Sequence, residues 1–150
     1  MSTRTRTITW HDPLEAAGLS RELTGLEFLH RISSGLIAPP PVAELVGFGP
    51  VYVMPGRVVF EYEPREEHYN PLGSVHGGIL TTVLDTVMGC AVQSLLDEGV
   101  GYATIELKTS FVRPVIRAVP NRLVPRMLSR TGRTSSTSSS MPDAANRCEA

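Results

Sequence analysis

The residues most able to do chemistry lie in one stretch, residues 70–78, and in the apolar run that follows it. There a turn rich in glycine and proline leads through His76, Gly77 and Gly78 into a run that begins at Ile79. A glycine-bearing turn at a helix start leaves backbone N–H groups unpaired at the positive end of the helix dipole. We therefore predict an anion or oxyanion site at residues 76–78.

A single carboxylate interrupts the apolar run. Asp85 lies among valines and leucines, where an unpaired carboxylate would cost several kcal/mol unless it is solvated, hydrogen-bonded or used. Helical rise puts it about 12 Å from the helix start. Taken singly, a glycine turn, a histidine and a helical aspartate are each more often structural. Their combination favours an acyl-transfer site.

The elements that position these residues begin with two short helices. Asp12 followed by Pro13, and Thr24 followed by Glu27, have the spacing of helix caps, and Gly35 is a plausible stop. Three prolines at 39–41 should forbid helix and act as a stiff spacer.

Strand-forming residues follow at 42–63, divided by a turn at 55–56, and then a polar loop at 64–70. Apolar residues recur at helical spacing from Ile79 to Leu95, which predicts a mostly buried helix of about five turns. The stretch from 102 to 112 predicts a long strand. These elements predict an α+β domain.

The C-terminal stretch, residues 115–150, has a different composition. It is rich in arginine and serine, which is typical of a linker-like tail. A strand interpretation is also open, with strands at 121–131 and 133–141. Pro120 and Pro125 count against it because each removes a backbone donor from a sheet.

Composition excludes several classes of protein. The chain has 150 residues and a net charge of -1, which fits one domain and gives no basic surface for nucleic acid or anionic membranes. Cys90 and Cys148 are too few and too far apart for a disulfide framework or a CxxC metal site. With no targeting segment and no apolar run of about 18 residues, we expect a cytoplasmic protein.

The motif Asn70-x-x-Gly73-x-x-His76-Gly77-Gly78, followed by Asp85, resembles that of the hotdog-fold acyl-CoA thioesterases of the phenylacetate-degradation (PaaI-like) group. The resemblance extends from about residue 41 to 114. It implies a hotdog fold, in which an antiparallel sheet wraps around a long central helix. An N-terminal helical segment, 1–40, would precede the hotdog domain, 41–150. The C-terminus, 115–150, is atypical for the family and ends about where the family's final strand should begin. Two interpretations stay open: a shortened, altered C-terminus on a hotdog scaffold, or a sequence disturbed there by a frameshift or gene-model error.

The same resemblance implies roles for individual residues. Asp85 would be the catalytic carboxylate, acting as general base on water or as nucleophile. Asn70 would position the water or the thioester carbonyl, and the Gly77 N–H would be the oxyanion donor. His76 would hold the loop, and Thr104 would orient the water beside the carboxylate.

Further residues are expected to contact coenzyme A, which is part of the substrate and not a separate cofactor. These are Gly78, Lys108 and Arg113. No metal is expected, because His68 and His76 lack zinc-ligand spacing. The family's active site lies between two subunits, so the resemblance implies a homodimer or homotetramer.

Three functions stay open at this point. The leading hypothesis is hydrolysis of a small or aryl acyl-CoA to the free acid and coenzyme A. The second is an acyl- or CoA-binding hotdog module without catalysis. The third is an enoyl-CoA hydratase-like protein, which fits the position of Asp85 less well.

Overall fold

The fold is described from a computed structural model, which covers residues 2–116, 126–130 and 133–137. Three short helices come first, followed by a hairpin, a 3-10 turn at Glu66–His68, one long helix and two further strands. The elements are α1 (Pro13–Leu19), α2 (Gly25–Ser33), α3 (Pro41–Val46), β1 (Phe48–Met54), β2 (Arg57–Tyr62), α4 (Gly77–Gln93), β3 (Arg126–Arg130) and β4 (Arg133–Thr137).

The four strands form one antiparallel sheet in the order β1-β2-β3-β4. Buried and half-buried residues alternate along β2, as expected for a strand with one face on the core. Val58, Phe60 and Tyr62 form its buried face. The β1–β2 register shifts between Pro50 and Tyr52, near a proline that has no N–H to donate.

The long helix α4 packs on this sheet. Four of its buried residues, Leu80, Val83, Val87 and Ala91, fall on one face of the helix, and the fifth, Gly89, lies on the opposite face. Val83 and Val87 are fully buried, and the core that they join includes Val58 and Phe60. The sequence-based predictions of a hairpin and a long buried helix are confirmed.

A buried serine joins the end of α4 to the hairpin turn. The Ser94 hydroxyl donates to the Ala91 carbonyl at 2.7 Å and accepts from the Gly56 N–H at 2.8 Å. Because this turn is Pro55-Gly56, between β1 and β2, the C-terminal end of α4 is held at one end of the sheet.

Helices α1 and α2 begin where their caps predict. Asp12 caps α1 by accepting from the Leu14 N–H, and Thr24 forms a capping box with Glu27 on α2. The N–H of Gly25 donates to the Leu96 carbonyl just beyond α4, and α2 also contacts β1. This pair of contacts places α2 across the hairpin and the end of α4.

Three sequence-based predictions are wrong. Residues 42–46, assigned above to the strand-forming stretch 42–63, form most of α3. The prolines at 39–41 do not exclude helix, because Pro41 occupies the first position of α3, where a missing N–H costs nothing. Residues 102–112 do not form a strand: no backbone hydrogen bond joins them to any residue that the structure describes. They run extended alongside α4 instead.

The C-terminal strand interpretation is confirmed where it can be checked. Strands β3 and β4 fall inside the predicted 121–131 and 133–141. The remainder of both ranges lies outside the described residues. So does the end of the chain, on which the expectation about the family's final strand depends. The predicted domain division at residue 41 stays a prediction. No helix among the described residues is long and apolar enough to cross a membrane.

The loop between the hairpin and α4 is organised around a buried histidine. His68 Nδ1 lies 2.8 Å from the Tyr62 hydroxyl and accepts from the Arg65 N–H, so the proton of the neutral ring is on Nε2. The His68 carbonyl in turn accepts from the His76 N–H at 2.8 Å. This histidine therefore links β2 to the residue that begins α4.

Burial lowers the pKa of His68 below its ordinary value of 6.5. Among the nearby charged residues, Arg65 and Arg6 also lower the pKa of His68, whereas Glu67 and Glu63 raise it. The unfolded chain then binds more protons than the folded one, so stability is full above about pH 6.5 and is lost as pH falls toward the lowered value.

We expect the free energy of unfolding to fall between about pH 7.5 and about pH 5.5 by the contribution of His68. In His68→Asn the side chain can still accept a hydrogen bond but does not titrate, so the free energy of unfolding should change less with pH. Urea unfolding at each pH measures this free energy. The control is His30→Asn, since His30 is exposed on α2. An unchanged slope in His68→Asn would contradict the assignment.

Candidate active site

A hydrogen bond from the segment after α4 orients Asp85, the carboxylate that interrupts this apolar helix. The Thr104 hydroxyl donates to Asp85 Oδ1 at 2.7 Å. No donor among the described residues reaches Oδ2. Asp85 is half-buried and Thr104 is exposed, so the pair lies where a carboxylate keeps partial contact with water. The sequence placed both residues at the site, and the structure brings them together.

Tyr102 lies on the same face of α4, one turn beyond Asp85. A side chain at Gly89, four residues after Asp85, would collide with the Tyr102 ring, so glycine permits the ring to lie against the helix backbone. Burial, with smaller contributions from Cys90 and Asp85, raises the pKa of Tyr102 to about 12. Tyr102 therefore stays a neutral phenol beside the carboxylate.

The Asn70 side chain makes hydrogen bonds within its own turn. Its Oδ1 accepts from the Leu72 and Ser74 N–H groups at 2.9 and 3.3 Å, and its Nδ2 donates to Ser74 Oγ at 3.0 Å. One hydrogen on Nδ2 remains for another acceptor. Asn70 thus shapes the loop that enters α4, a contribution that the sequence-based role did not include.

His76 is the N-cap of α4. Its Nδ1 accepts from the Gly78 N–H at 2.9 Å, and its ring is exposed. The Gly78 N–H is thereby occupied, which leaves the Gly77 N–H as the donor at this helix start: no acceptor among the described residues is within hydrogen-bond range of it.

Phe111 packs over this helix start. Two atoms of its ring lie 3.2 Å from where a Cβ on Gly77 would be. The nearby hydroxyls of Thr109 and Thr81 are 3.5 Å apart. The extended segment 102–112 therefore follows α4 from its second half back to its first turn, with Tyr102, Thr104, Thr109 and Phe111 against the helix.

The predicted site residues do not all meet within one chain. Gly77 and Asp85 are eight residues apart on one helix, about 12 Å by helical rise. Lys108 and Arg113 are exposed, and no ion pair joins either to an acidic side chain in the described part. No group of three metal-ligating side chains occurs in the same part.

Sequence reasoning missed two residues of this site, Tyr102 and Phe111. Each ring lies on a glycine of α4, at Gly89 and Gly77 respectively. The signal was present in the sequence as glycines inside a buried helix opposite aromatic residues of the next segment. It could not be used without knowing how the two segments align.

Comparisons with known proteins bear on the family and the fold of this chain. Residues 72–139 match the family model described as the thioesterase superfamily. The fold is similar to that of a putative thioesterase, a phenylacetic acid degradation-related protein, from Ralstonia eutropha, with 26% identity, a TM-score of 0.57, and 73% of this chain and 94% of that one covered. The resemblance to the hotdog thioesterases is confirmed.

The hotdog fold class is therefore confirmed as well. The PaaI protein of Escherichia coli, 16% identical, has a similar fold, with a TM-score of 0.53 over 72% of this chain and 86% of that one.

Curated relatives of this thioesterase-like chain match it over shorter stretches. A putative esterase of Halobacterium salinarum is 41% identical over 61 residues, which are 39% of this chain and 40% of that protein. Human acyl-coenzyme A thioesterase 13 is 28% identical over 64 residues, 43% of this chain and 45% of that protein. The chain thus spans less than half the length of these relatives.

The cap at His76 gives a prediction that separates a structural role from a chemical one. His76→Ala should lower the free energy of unfolding by about 1 kcal/mol, because the cap to the Gly78 N–H is lost. Asn is a favoured N-cap, so His76→Asn should restore that stability. Urea unfolding of both variants measures the difference. If His76→Asn is as unstable as His76→Ala, the cap is not what His76 contributes.

Proposed function

We propose that this chain hydrolyses the thioester of an acyl-CoA, giving the free acid and coenzyme A. The observation that carries the proposal is the hydrogen bond from Thr104 to Asp85 Oδ1, which orients a half-buried carboxylate whose Oδ2 has no donor among the described residues. Its support is the match to the thioesterase superfamily, which covers Asp85 and Thr104. Acyl-coenzyme A thioesterase 13 supports the substrate class.

The reaction needs few groups. With Asp85 as general base, the carboxylate takes a proton from water while the water oxygen bonds to the thioester carbon. The carbonyl oxygen becomes an oxyanion, which the Gly77 N–H at the helix start stabilises. The C–S bond then breaks, and the thiolate of coenzyme A takes up a proton. Because the pKa of a thiol is about 8.5, the thiolate can leave without protonation by a strong general acid.

Asp85 as nucleophile is the other route. Its oxygen then bonds to the thioester carbon, the thiolate leaves, and water hydrolyses the resulting anhydride. The routes differ in where the oxygen of water goes. Water that opens the anhydride at the Asp85 carbonyl leaves its oxygen in Asp85, so in a single turnover in ¹⁸O-water a labelled Asp85 identifies the nucleophilic route. The general-base route labels only the acid product, as does opening of the anhydride at the acyl carbonyl.

The site we propose combines two copies of the chain. One thioester carbonyl cannot contact both Gly77 and Asp85 of the same helix, which are about 12 Å apart. A second copy could supply the helix start opposite the first copy's carboxylate. The segment 102–112 offers a surface for that copy, since Ile105 is 100% exposed and Val112 is 93% exposed. A homodimer is thus the minimal assembly, and a homotetramer would repeat it.

We also propose that Lys108 and Arg113 bind the phosphates of coenzyme A, with Gly78 lying beside the bound thioester. Both cations are exposed on the segment that carries Thr104, so neither is committed to an ion pair with a described residue. Contact between exposed cations and phosphate groups would be charge-assisted and sensitive to salt.

We expect Asp85→Asn to lower kcat for acyl-CoA hydrolysis by about 10²- to 10⁴-fold, because a positioned base contributes about that much. Release of free thiol from a panel of acyl-CoAs measures it. The matched control is Asp97→Asn, which makes the same change at an exposed position beyond α4 and should leave kcat unchanged.

Three outcomes would overturn this proposal. Unchanged turnover in Asp85→Asn would remove the assigned carboxylate. Saturable binding of acyl-CoA with no turnover by the wild-type chain would identify a binding module in place of an enzyme. Hydration of an enoyl-CoA with no thiol release would identify the third hypothesis.

Gly77→Pro should lower kcat by about 10²- to 10³-fold, because it removes the oxyanion N–H. Proline suits the first helical position, and the extended backbone of His76, with φ -61° and ψ 133°, suits a residue before proline. Gly77→Ala is the control, since it adds a Cβ against the same Phe111 ring but keeps the N–H. Equal activity in the two variants would contradict the role of this N–H.

Co-expression of Asp85→Asn with Gly77→Pro tests whether the site is shared. In a mixed dimer one site receives an intact helix start from one copy and an intact carboxylate from the other. Part of the activity should therefore return, although each variant alone is inactive. If the mixture is as inactive as its components, both groups act from the same copy.

A further inference from the structure

A cavity of about 400 Å³ has Tyr102 among its lining residues. It lies between the N-terminal helices, the β1–β2 hairpin, the second half of α4 and the loop that follows α4, and it is partly open to solvent. Side chains from α2, among them Phe28 and Ile32, form one wall. Phe48 and Phe60 of the hairpin and Cys90 of α4 face it from the other elements.

The interior of this cavity offers no charge to a ligand. Its hairpin wall is aromatic, with the rings of Phe48 and Phe60 tilted and their centroids 6.1 Å apart. Burial raises the pKa of the Cys90 thiol to about 12, so the thiol is neutral. The Thr86 hydroxyl already donates to the Thr82 carbonyl. Arg21, a charged lining residue, is exposed at the rim.

The cavity adjoins the carboxylate that we assign to catalysis. Thr86, the neighbour of Asp85, lines it, and so do Cys90 and Gln93 further along α4. Tyr102 lies next to both, since it lines the cavity and its ring rests on Gly89, one helical turn from Asp85. A group attached to a carbonyl at Asp85 therefore reaches the cavity by passing the Tyr102 ring.

The mouth of the cavity lies at the loop after α4. The lining residues that are exposed to solvent include Arg21 and residues 99–102. Gly101 has no atom within 4 Å of the position where a Cβ would be. A side chain there would project into the mouth without displacing its neighbours.

We propose that this cavity binds the acyl group of the substrate, and that α2 is the element that sets which acyl groups fit. The ligand class is an uncharged, apolar acyl group larger than acetyl, alkyl or aryl. This inference rests on the proposed hydrolysis of acyl-CoA. A volume of about 400 Å³ lies within the usual range of small-molecule sites.

The wall formed by α2 is a feature of this chain outside its family match. The thioesterase model begins at residue 72, whereas Phe28 and Ile32 lie in the N-terminal helices. Selectivity for the acyl group is thus separated in sequence from the residues assigned to the chemistry. It can be changed without touching Asp85, Gly77 or Thr104.

The test compares acetyl-, octanoyl-, phenylacetyl- and palmitoyl-CoA on variants of the full chain. Ile32→Trp fills the cavity from α2 and should lower kcat/KM for the octanoyl and phenylacetyl substrates by about 10- to 200-fold, with acetyl-CoA unchanged. The control is Leu36→Trp, which adds the same bulk at a residue that is 78% exposed. Because Ile32→Trp could overpack the core and destabilise the fold, a second variant, Gly101→Leu, adds a side chain at the mouth of the cavity. Its control is Gly18→Leu, the same change at an exposed position of α1.

The outcomes separate this inference from the proposed function. A loss of the same size for every substrate, acetyl-CoA included, or no loss in either cavity variant, would overturn the acyl site while hydrolysis stands. If the wild-type chain hydrolyses none of the four substrates, the proposed function fails. Ligand binding then tests whether the cavity accepts apolar groups. In that case 1-octanol and 2-phenylethanol, followed by ligand-observed NMR, should bind the wild type and Leu36→Trp but not Ile32→Trp. Equal binding to all three would overturn the site.

Discussion

The cover that α4 requires is the constraint on which the rest of the structure depends. This helix is apolar on most of its circumference, and such a helix is stable only when other elements bury it. The buried face of β2 covers one side, α2 reaches the end of the helix, and the segment 102–115 runs along another side. Asp85 lies under the last of these, where Thr104 supplies a donor.

The same constraint accounts for the empty space in the protein. The N-terminal helices, the β1–β2 hairpin and the loop after α4 meet over the second half of α4. Their side chains at the cavity are mostly aromatic or branched, and these side chains leave the space beside the helix unfilled. Glycines on the helix surface admit rings at two points, Tyr102 at Gly89 and Phe111 at Gly77. These rings bracket the carboxylate along the helix.

Local signals made much of this fold predictable from the sequence. The caps at Asp12 and Thr24 and the turn at 55–56 act through neighbouring residues, so composition and spacing suffice to place them. Pro41 was misjudged because a proline that breaks a helix interior also begins a helix well. The strand expected at 102–112 failed for another reason, since a strand exists only with a pairing partner.

The candidate site divides in the same way. His76, Gly77 and Asp85 were identified because a helix start and a helical carboxylate are local features, and Thr104 through the family resemblance. Tyr102, Phe111 and the cavity depend on the alignment of segments far apart in the chain, which a pattern of residue types does not contain. The use of Asn70 within its own turn also needed atomic positions.

The backbone of residues 102–112 has no hydrogen-bond partner among the described residues, which has a consequence for how this protein behaves when it is concentrated. A segment of this kind, with Ile105 fully exposed, can pair with an extended chain of matching pattern. Recruitment of a second copy in register is one such pairing. An unfolded neighbour competes for the same groups, so the rate of correct association relative to misfolding sets the yield of soluble protein.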